Sequence, residues 1–105
     1  MPSDYMYIAN LAETAEIPTE GILSRPLYED DRLKVVLFSF SAGQELSEHT
    51  SSRPAVLHFI QGEARLVLGN DTHDVKPGAW VHMPPELKHG IKAITPMVLL
   101  LLLLK

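Results

Sequence analysis

The chain has 105 residues, of which 46% are hydrophobic and 21% are charged, and it contains no cysteine. This length and composition are typical of one folded globular domain, and the absence of thiols excludes disulfide scaffolds, thiolate metal sites and cysteine nucleophiles. The net charge of −4 and the scattered basic residues give no surface for nucleic acid or for an anionic membrane. The N-terminal residues lack the basic and long apolar regions of a signal peptide, so we expect a cytoplasmic protein.

The N-terminal third carries weak structural signals. Residues 5–9 alternate enough to predict an edge strand, and residues 10–16 predict a short helical turn that begins at a capping asparagine. Residues 21–28 predict an extended segment, and the proline within it suits a strand at the edge of a sheet. We therefore predict one domain over residues 1–105, with residues 1–31 as edge strands around a core of about residues 33–104.

From residue 32 onward, short apolar runs alternate with glycine, proline and asparagine turns. These runs predict strands at residues 32–41, 46–49, 55–60, 63–68, 72–75, 79–83, 89–94 and 97–104. The last run has eight apolar residues, too few for a spanning helix of about 20 residues, and predicts a strand that is buried on both faces. Many short strands with almost no helix predict an antiparallel sandwich or barrel.

Two segments resemble the paired motifs of the cupin superfamily. The first runs from Gly43 to His49 and closes with the strand that ends at Gly62, and the second runs from Pro77 to His89. The resemblance covers roughly residues 33–104 and implies a small single-domain cupin of uncharacterised function. The implied fold is all-β, a double-stranded β-helix, or jelly-roll, barrel.

The resemblance also implies a metal site, which this sequence only partly provides. Members of the superfamily usually supply two histidines one residue apart, a glutamate and a last histidine, all pointing into the barrel. The first and last positions correspond to His49 and His89, whereas Ser51 and Ala55 occupy the other two. Two readings stay open: His49 and His89 bind one divalent transition metal (Zn, Fe, Ni or Mn), or they line a pocket as neutral polar groups.

A small-molecule site inside the barrel follows from strand alternation. Glu45 is an even number of residues from His49 and is predicted to share its strand face, whereas Glu48 is predicted to face the other way. The predicted ligand-binding residues, at the mouth and along the wall, are Gln44, Glu45, Ser51, Leu57, Phe59 and Met83.

The same alternation places His58 and His82 outside the barrel. Their strands are expected to be neighbours, so we predict that the two side chains lie close together on the outer face of one sheet. The outer surface near Trp80 and Phe38 is predicted to be apolar enough to support a homodimer.

Three functions remain open from the sequence. The first is a small-molecule-binding protein with a degenerate two-histidine site. The second is a divalent-metal cupin enzyme, of dioxygenase or isomerase type, acting on a small organic substrate. The third is a structural or regulatory homodimer without turnover. A lone histidine general base is chemically feasible, but no partner carboxylate is evident to orient it.

Overall fold

The computed structural model describes residues 5–105, and strands dominate this part of the chain. Its elements in chain order are α1 (Leu11–Thr14), β1 (Ile22–Glu29), β2 (Leu33–Phe40), β3 (Glu45–His49), β4 (Ala55–Gln61), β5 (Ala64–Leu68), β6 (Asp71–Val75), β7 (Trp80–Met83), β8 (His89–Ala93) and β9 (Met97–Leu104). None of the helices in residues 5–105 is long and apolar enough to cross a membrane.

Two antiparallel sheets form the body of the molecule. The first has the strand order β1-β2-β9-β4-β7, and the second has the order β3-β8-β5-β6. After β2 the chain passes repeatedly from one sheet to the other, so strands that are distant in sequence become neighbours. This arrangement confirms the predicted double-stranded β-helix of the cupin type.

The leucine-rich C-terminal run is the central strand of the first sheet. β9 pairs with β2 on one side and with β4 on the other. Leu99, Leu101 and Leu103 point toward the second sheet, whereas Leu100 points outward, under the N-terminal segment. A strand that is covered on both faces has no solvent-facing positions for polar residues, which explains why this run is continuously apolar.

The N-terminal segment differs partly from its prediction. Asn10 caps helix α1, because its Oδ1 accepts hydrogen bonds from the backbone N–H groups of Ala12 and Glu13 at 3.0 and 3.3 Å. The prediction of an edge strand at residues 5–9 is wrong, because these residues form no strand. These residues instead contribute side chains to an apolar cavity on the outer face of the first sheet, so their packing does not depend on strand pairing. Of the predicted edge region 1–31, the outermost strand is β1, and residues 1–4 lie outside the described residues.

The prediction that Phe38 contributes to the outer surface is also wrong. Phe38 lies opposite Leu99 across the β2–β9 ladder, and both side chains line the space between the two sheets. Opposite residues in an antiparallel ladder share a face, so the orientation of Leu99 fixes that of Phe38.

Gly62 makes the turn that carries the chain from β4 in the first sheet to β5 in the second. Its φ is +78°, and a Cβ atom at this position would lie 2.1 Å from the carbonyl oxygen of Pro96. That oxygen belongs to backbone, which cannot move aside as a flexible side chain could. Gly62 is therefore required both by its conformation and by the close approach of the β8–β9 connection.

We predict that Gly62→Ala lowers the free energy of unfolding by more than about 3 kcal/mol, because the clash adds to the cost of a positive φ. Gly78→Ala is the matched control: its φ is +97°, but nothing lies within 4 Å of the added Cβ. The control is expected to lose only about 1–2 kcal/mol. Urea unfolding of both variants measures the difference, and equal losses would contradict the role of the Pro96 contact.

Candidate functional site

A cavity of about 470 Å³ lies between the two sheets, within the usual range of about 300–1,000 Å³ for small-molecule sites. Its wall is apolar and consists of Phe38, Leu46, Ala55, Leu57, Met83, Pro84, Leu87, Ile91, Leu99, Leu101 and Leu103. Its polar groups are gathered in His49, Thr50, Ser51, Ser52, Arg53 and His89. An apolar chamber with a few convergent polar groups is the usual form of a ligand site.

The two histidines are brought together by strand pairing. His49 ends β3, His89 begins β8, and the two residues are direct partners in the antiparallel β3–β8 ladder. Their ring centroids are 4.3 Å apart with an interplanar angle of 57°. His89 is buried, with 7% of its surface exposed, whereas His49 lies at the open end of the cavity.

Hydrogen bonds to the backbone fix the tautomer of both rings. Nδ1 of His49 lies 2.9 Å from the carbonyl oxygen of Ser47, and Nδ1 of His89 lies 2.9 Å from that of Leu87. A carbonyl oxygen can only accept, so each Nδ1 carries the proton that it donates. In the neutral rings each Nε2 therefore keeps a free lone pair, which can accept a hydrogen bond or bind a metal ion.

A β-bulge in β3 changes which residues share a face with His49. Leu46 pairs with Ile91 and His49 pairs with His89, so two residues intervene on β3 but only one on β8. The extra residue reverses the alternation. Leu46 consequently lines the cavity together with His49, while Glu45 lines a depression outside it, opposite Lys92. The prediction that Glu45 shares the face of His49 is therefore wrong.

The other predicted ligand-binding residues are distributed unevenly. Ser51, Leu57 and Met83 line the cavity. Phe59 points inward but is fully buried in the core and does not line the cavity, and Gln44 does not line it either. Gln44 precedes β3, where its backbone carbonyl accepts a hydrogen bond from Ala93 N–H.

Sequence reasoning missed Thr50, Ser52 and Arg53, which lie in one loop with the predicted Ser51 and supply most of the polar mouth. The loop is tied to the facing β7–β8 loop, because Glu86 N–H donates a 2.7 Å hydrogen bond to the Ser51 carbonyl oxygen. Glu86 has a φ of 69°, a conformation that non-glycine residues rarely adopt. The serines and Arg53 were a weak signal in the sequence, because polar loop residues are common wherever a loop is exposed.

The donor set provides fewer strong ligands than a resident metal ion usually has. The four positions implied by the cupin motifs, His49, Ser51, Ala55 and His89, all line the same cavity. They offer two imidazoles, one hydroxyl and one methyl group, whereas zinc and open transition-metal sites generally use at least three strong protein ligands. Within residues 5–105, no group of three or more His, Asp or Glu side chains is arranged to hold a metal ion.

The outer histidines occupy the opposite face of the first sheet. His58 pairs with Trp80 across the β4–β7 ladder, and His82 pairs with Val56, so the two histidines are diagonal neighbours. Neither lines the barrel cavity, in agreement with the predicted orientation. Trp80 lies beside them with 63% of its surface exposed.

A second cavity, of about 520 Å³, lies between the N-terminal segment and the outer face of the first sheet. Its lining includes Tyr5, Met6, Leu27 and Leu100 but no histidine and no charged side chain. Its polar side-chain groups are the hydroxyls of Tyr5 and Tyr28, and the Tyr28 hydroxyl already donates a 2.7 Å hydrogen bond to Asp30, so this cavity offers fewer convergent polar groups than the barrel cavity. The barrel cavity is therefore the better candidate for a functional site.

Comparison with known proteins agrees with this architecture. The family model of the cupin domain matches residues 36–103, and the chain therefore belongs to the cupin family. None of the proteins with curated functions matches the chain.

Several solved structures share the fold. A cupin superfamily protein from Desulfitobacterium hafniense is 26% identical, with a TM-score of 0.86 over 99% of this chain and 94% of the other. A conserved protein of unknown function from Streptococcus pyogenes is also 26% identical, with a TM-score of 0.85 over 98% of this chain and 90% of the other. KdgF from a Halomonas species is 22% identical, with a TM-score of 0.78 over 80% of each chain, and this similarity shows the fold alone.

Proposed function

We propose that this cupin is a small-molecule-binding protein that holds its ligand in the barrel through the His49–His89 pair, without a resident metal. The observation that carries the proposal is the pair itself. Two imidazoles lie at one end of an apolar cavity with ring centroids 4.3 Å apart, and each donates its Nδ1–H to a backbone carbonyl. Two free Nε2 lone pairs at one place form a receptor for hydrogen-bond donors.

The ligand chemistry follows from the lining. An apolar body fits against the leucine and methionine wall, where burial contributes roughly 25 cal/mol for each Å² removed from water. A hydroxyl group on the ligand would donate to Nε2 of one histidine, which contributes about 1 kcal/mol net. Small phenols and hydroxylated acids combine these two features in a volume that suits the cavity.

A small phenol tests this proposal directly. We predict that 4-ethylphenol shifts the His49 and His89 ring signals in NMR titrations of the wild-type protein. Leu101→Trp, which fills the cavity from β9, is expected to lower the affinity at least about tenfold, the equivalent of about 1.4 kcal/mol. The matched control is Leu102→Trp on the opposite face of the same strand, which should bind as wild type. Saturable shifts that are equal in both variants would place the ligand outside the barrel.

A divalent-metal enzyme is the second candidate, and one observation favours it. Histidines that bind metals usually donate their second ring N–H to a carbonyl or a carboxylate, and both rings here do so. In that case His49 and His89 would hold a Zn, Fe, Ni or Mn ion, and Ser51 would be a further polar group in the same lining. The donor set makes such binding weak, and for this reason it ranks second.

We predict that untagged protein, purified without chelators, contains less than one equivalent of any transition metal by mass spectrometry. Installing the two missing ligands in the double variant Ser51→His, Ala55→Glu should raise zinc affinity well above that of wild type, because four strong donors would then line one cavity. The control pairs Ser51→His with Ala55→Gln, which has the same shape without the carboxylate. Stoichiometric metal in the wild type that is lost in His49→Ala and His89→Ala would instead favour the enzyme.

We also propose that the protein forms a homodimer through the outer face of the first sheet. The supporting observation is the exposure of Trp80, an unusual position for so large an apolar side chain, beside His58 and His82. This assembly is compatible with either function above, and on its own it constitutes the structural or regulatory alternative.

Trp80→Glu is expected to convert the dimer to a monomer, because a charge in an apolar contact must be desolvated without a partner. Light scattering measures the mass against that of the 11.7 kDa chain. Ile94→Glu, at an exposed apolar residue that follows β8 of the second sheet, is the control and should leave the mass unchanged. A wild-type protein that is monomeric at high concentration would rule out the dimer.

A further inference from the structure

Arg53 is a cation at the mouth of the barrel cavity. It lies in the loop between β3 and β4 and is among the residues that line the cavity. The loop is braced locally, because Arg53 N–H donates to Ser51 Oγ at 3.2 Å and that hydroxyl lies 3.2 Å from the Arg53 carbonyl oxygen. The guanidinium is therefore carried on a defined turn that also contributes Ser51 to the cavity.

The guanidinium has no carboxylate partner within residues 5–105. The ion pairs of this part of the chain join Arg65 to Asp74, Lys76 to Glu63, Lys88 to Glu48 and Lys105 to Glu29. Glu48, the acidic residue next to His49, forms an ion pair with Lys88 on the outer surface, with 3.9 Å between Oε2 and Nζ. Arg53 is left free to bind an anion from outside the chain.

The cavity itself contains no acidic side chain. Besides Arg53, its ionisable lining residues are His49 and His89. Glu86 lies in the facing loop, where its backbone N–H binds the Ser51 carbonyl, but its side chain does not line the cavity. In a chain with a net charge of −4, the lining of this cavity therefore carries one permanent cation and no anion.

We propose that the ligand of this cavity is a small carboxylic acid with an apolar body, and that Arg53 selects it by binding the carboxylate. This inference rests on the proposed binding function and adds the charge of the ligand to it. The planar guanidinium donates two parallel hydrogen bonds to a carboxylate, a geometry that a lysine or an amide cannot reproduce. The apolar part of the acid then extends toward the leucine wall, and a hydroxyl group, where present, reaches the histidine pair.

The overall negative charge of the protein does not oppose this recognition. Charges separated by more than the Debye length, about 10 Å at 0.1 M salt, are largely screened from one another. An anion at the mouth therefore responds to Arg53 and to Glu86 in the facing loop rather than to the distant surface carboxylates. Because Arg53 is exposed, its attraction should weaken as the salt concentration rises, and the affinity for an acid should fall more steeply than that for an uncharged analogue.

A matched pair of probes tests the inference. We predict that wild-type protein binds 3-(4-hydroxyphenyl)propionate about 10- to 100-fold more tightly than 3-(4-hydroxyphenyl)propanamide, the range expected for a hydrogen bond to a charged group. Arg53→Gln should abolish this preference by weakening the acid while leaving the amide unchanged. Arg53→Lys should retain part of the preference, since lysine keeps the positive charge but cannot donate the two parallel hydrogen bonds. Arg65→Gln, at an arginine on the outer surface of the second sheet, is the control and should bind both probes as wild type.

The outcomes separate this inference from the function on which it rests. If wild type binds acid and amide equally, or if Arg53→Gln keeps the preference, the cavity binds small molecules but Arg53 does not select them, and the inference is overturned. If neither probe binds at millimolar concentration and 4-ethylphenol also fails, the binding function itself is overturned. An unchanged amide-proton NMR spectrum of Arg53→Gln outside residues 50–54 establishes that the variant is folded.

Discussion

The pairing of β3 with β8 is the constraint on which the candidate site depends. These strands are separated by more than thirty residues of chain, yet their ladder sets His49 directly opposite His89. The neighbouring β5 continues the same sheet on the far side of β8, so β8 cannot slip without also breaking its register with β5. A one-residue slip would exchange the two faces and remove His89 from the cavity. The position of the histidine pair is therefore a property of the whole second sheet.

The backbone also decides the chemistry of the pair. Each neutral imidazole donates its only N–H to a carbonyl two residues earlier in the chain, so each Nε2 is left as an acceptor, and both rings line the cavity. Two acceptors side by side attract a donor or a cation rather than another acceptor. Arg53 adds a donor-rich group at the mouth, at a separate point of the same lining. A ligand that satisfies both must carry a donor at one point and an anion at another, which is a stricter requirement than the apolar volume alone imposes.

Much of the fold was accessible from the sequence because the strands alternate regularly between turns. Leu57 and Met83 face the cavity as their alternation predicts, and the continuous run of β9 marks the covered centre of a sheet.

Predictions from alternation were wrong where a strand was not regular or where both of its faces were apolar. The bulge in β3 inverted the placement of Glu45, and bulges leave little trace in a single sequence. Phe38 was misplaced because both faces of β2 are apolar, so that only the partner strand distinguishes inside from outside. Arg53 lay in a polar loop, whose direction is set by tertiary contacts such as that between Glu86 and Ser51.

The substitution pattern at the cupin positions makes physical sense as a site for an organic ligand. Ala55 is 3% exposed and packs within the apolar cluster that surrounds the cavity. A carboxylate at that depth would need a metal ion or a cation to offset its desolvation, and truncation to a methyl group removes this need. The same change enlarges the apolar wall next to the histidine pair. Without the carboxylate, the two imidazoles no longer have a third strong donor with which to hold an ion, but they keep their position, their tautomer and their access to the cavity. What remains is a chamber with two imidazole acceptors at its polar end and a guanidinium group at its mouth.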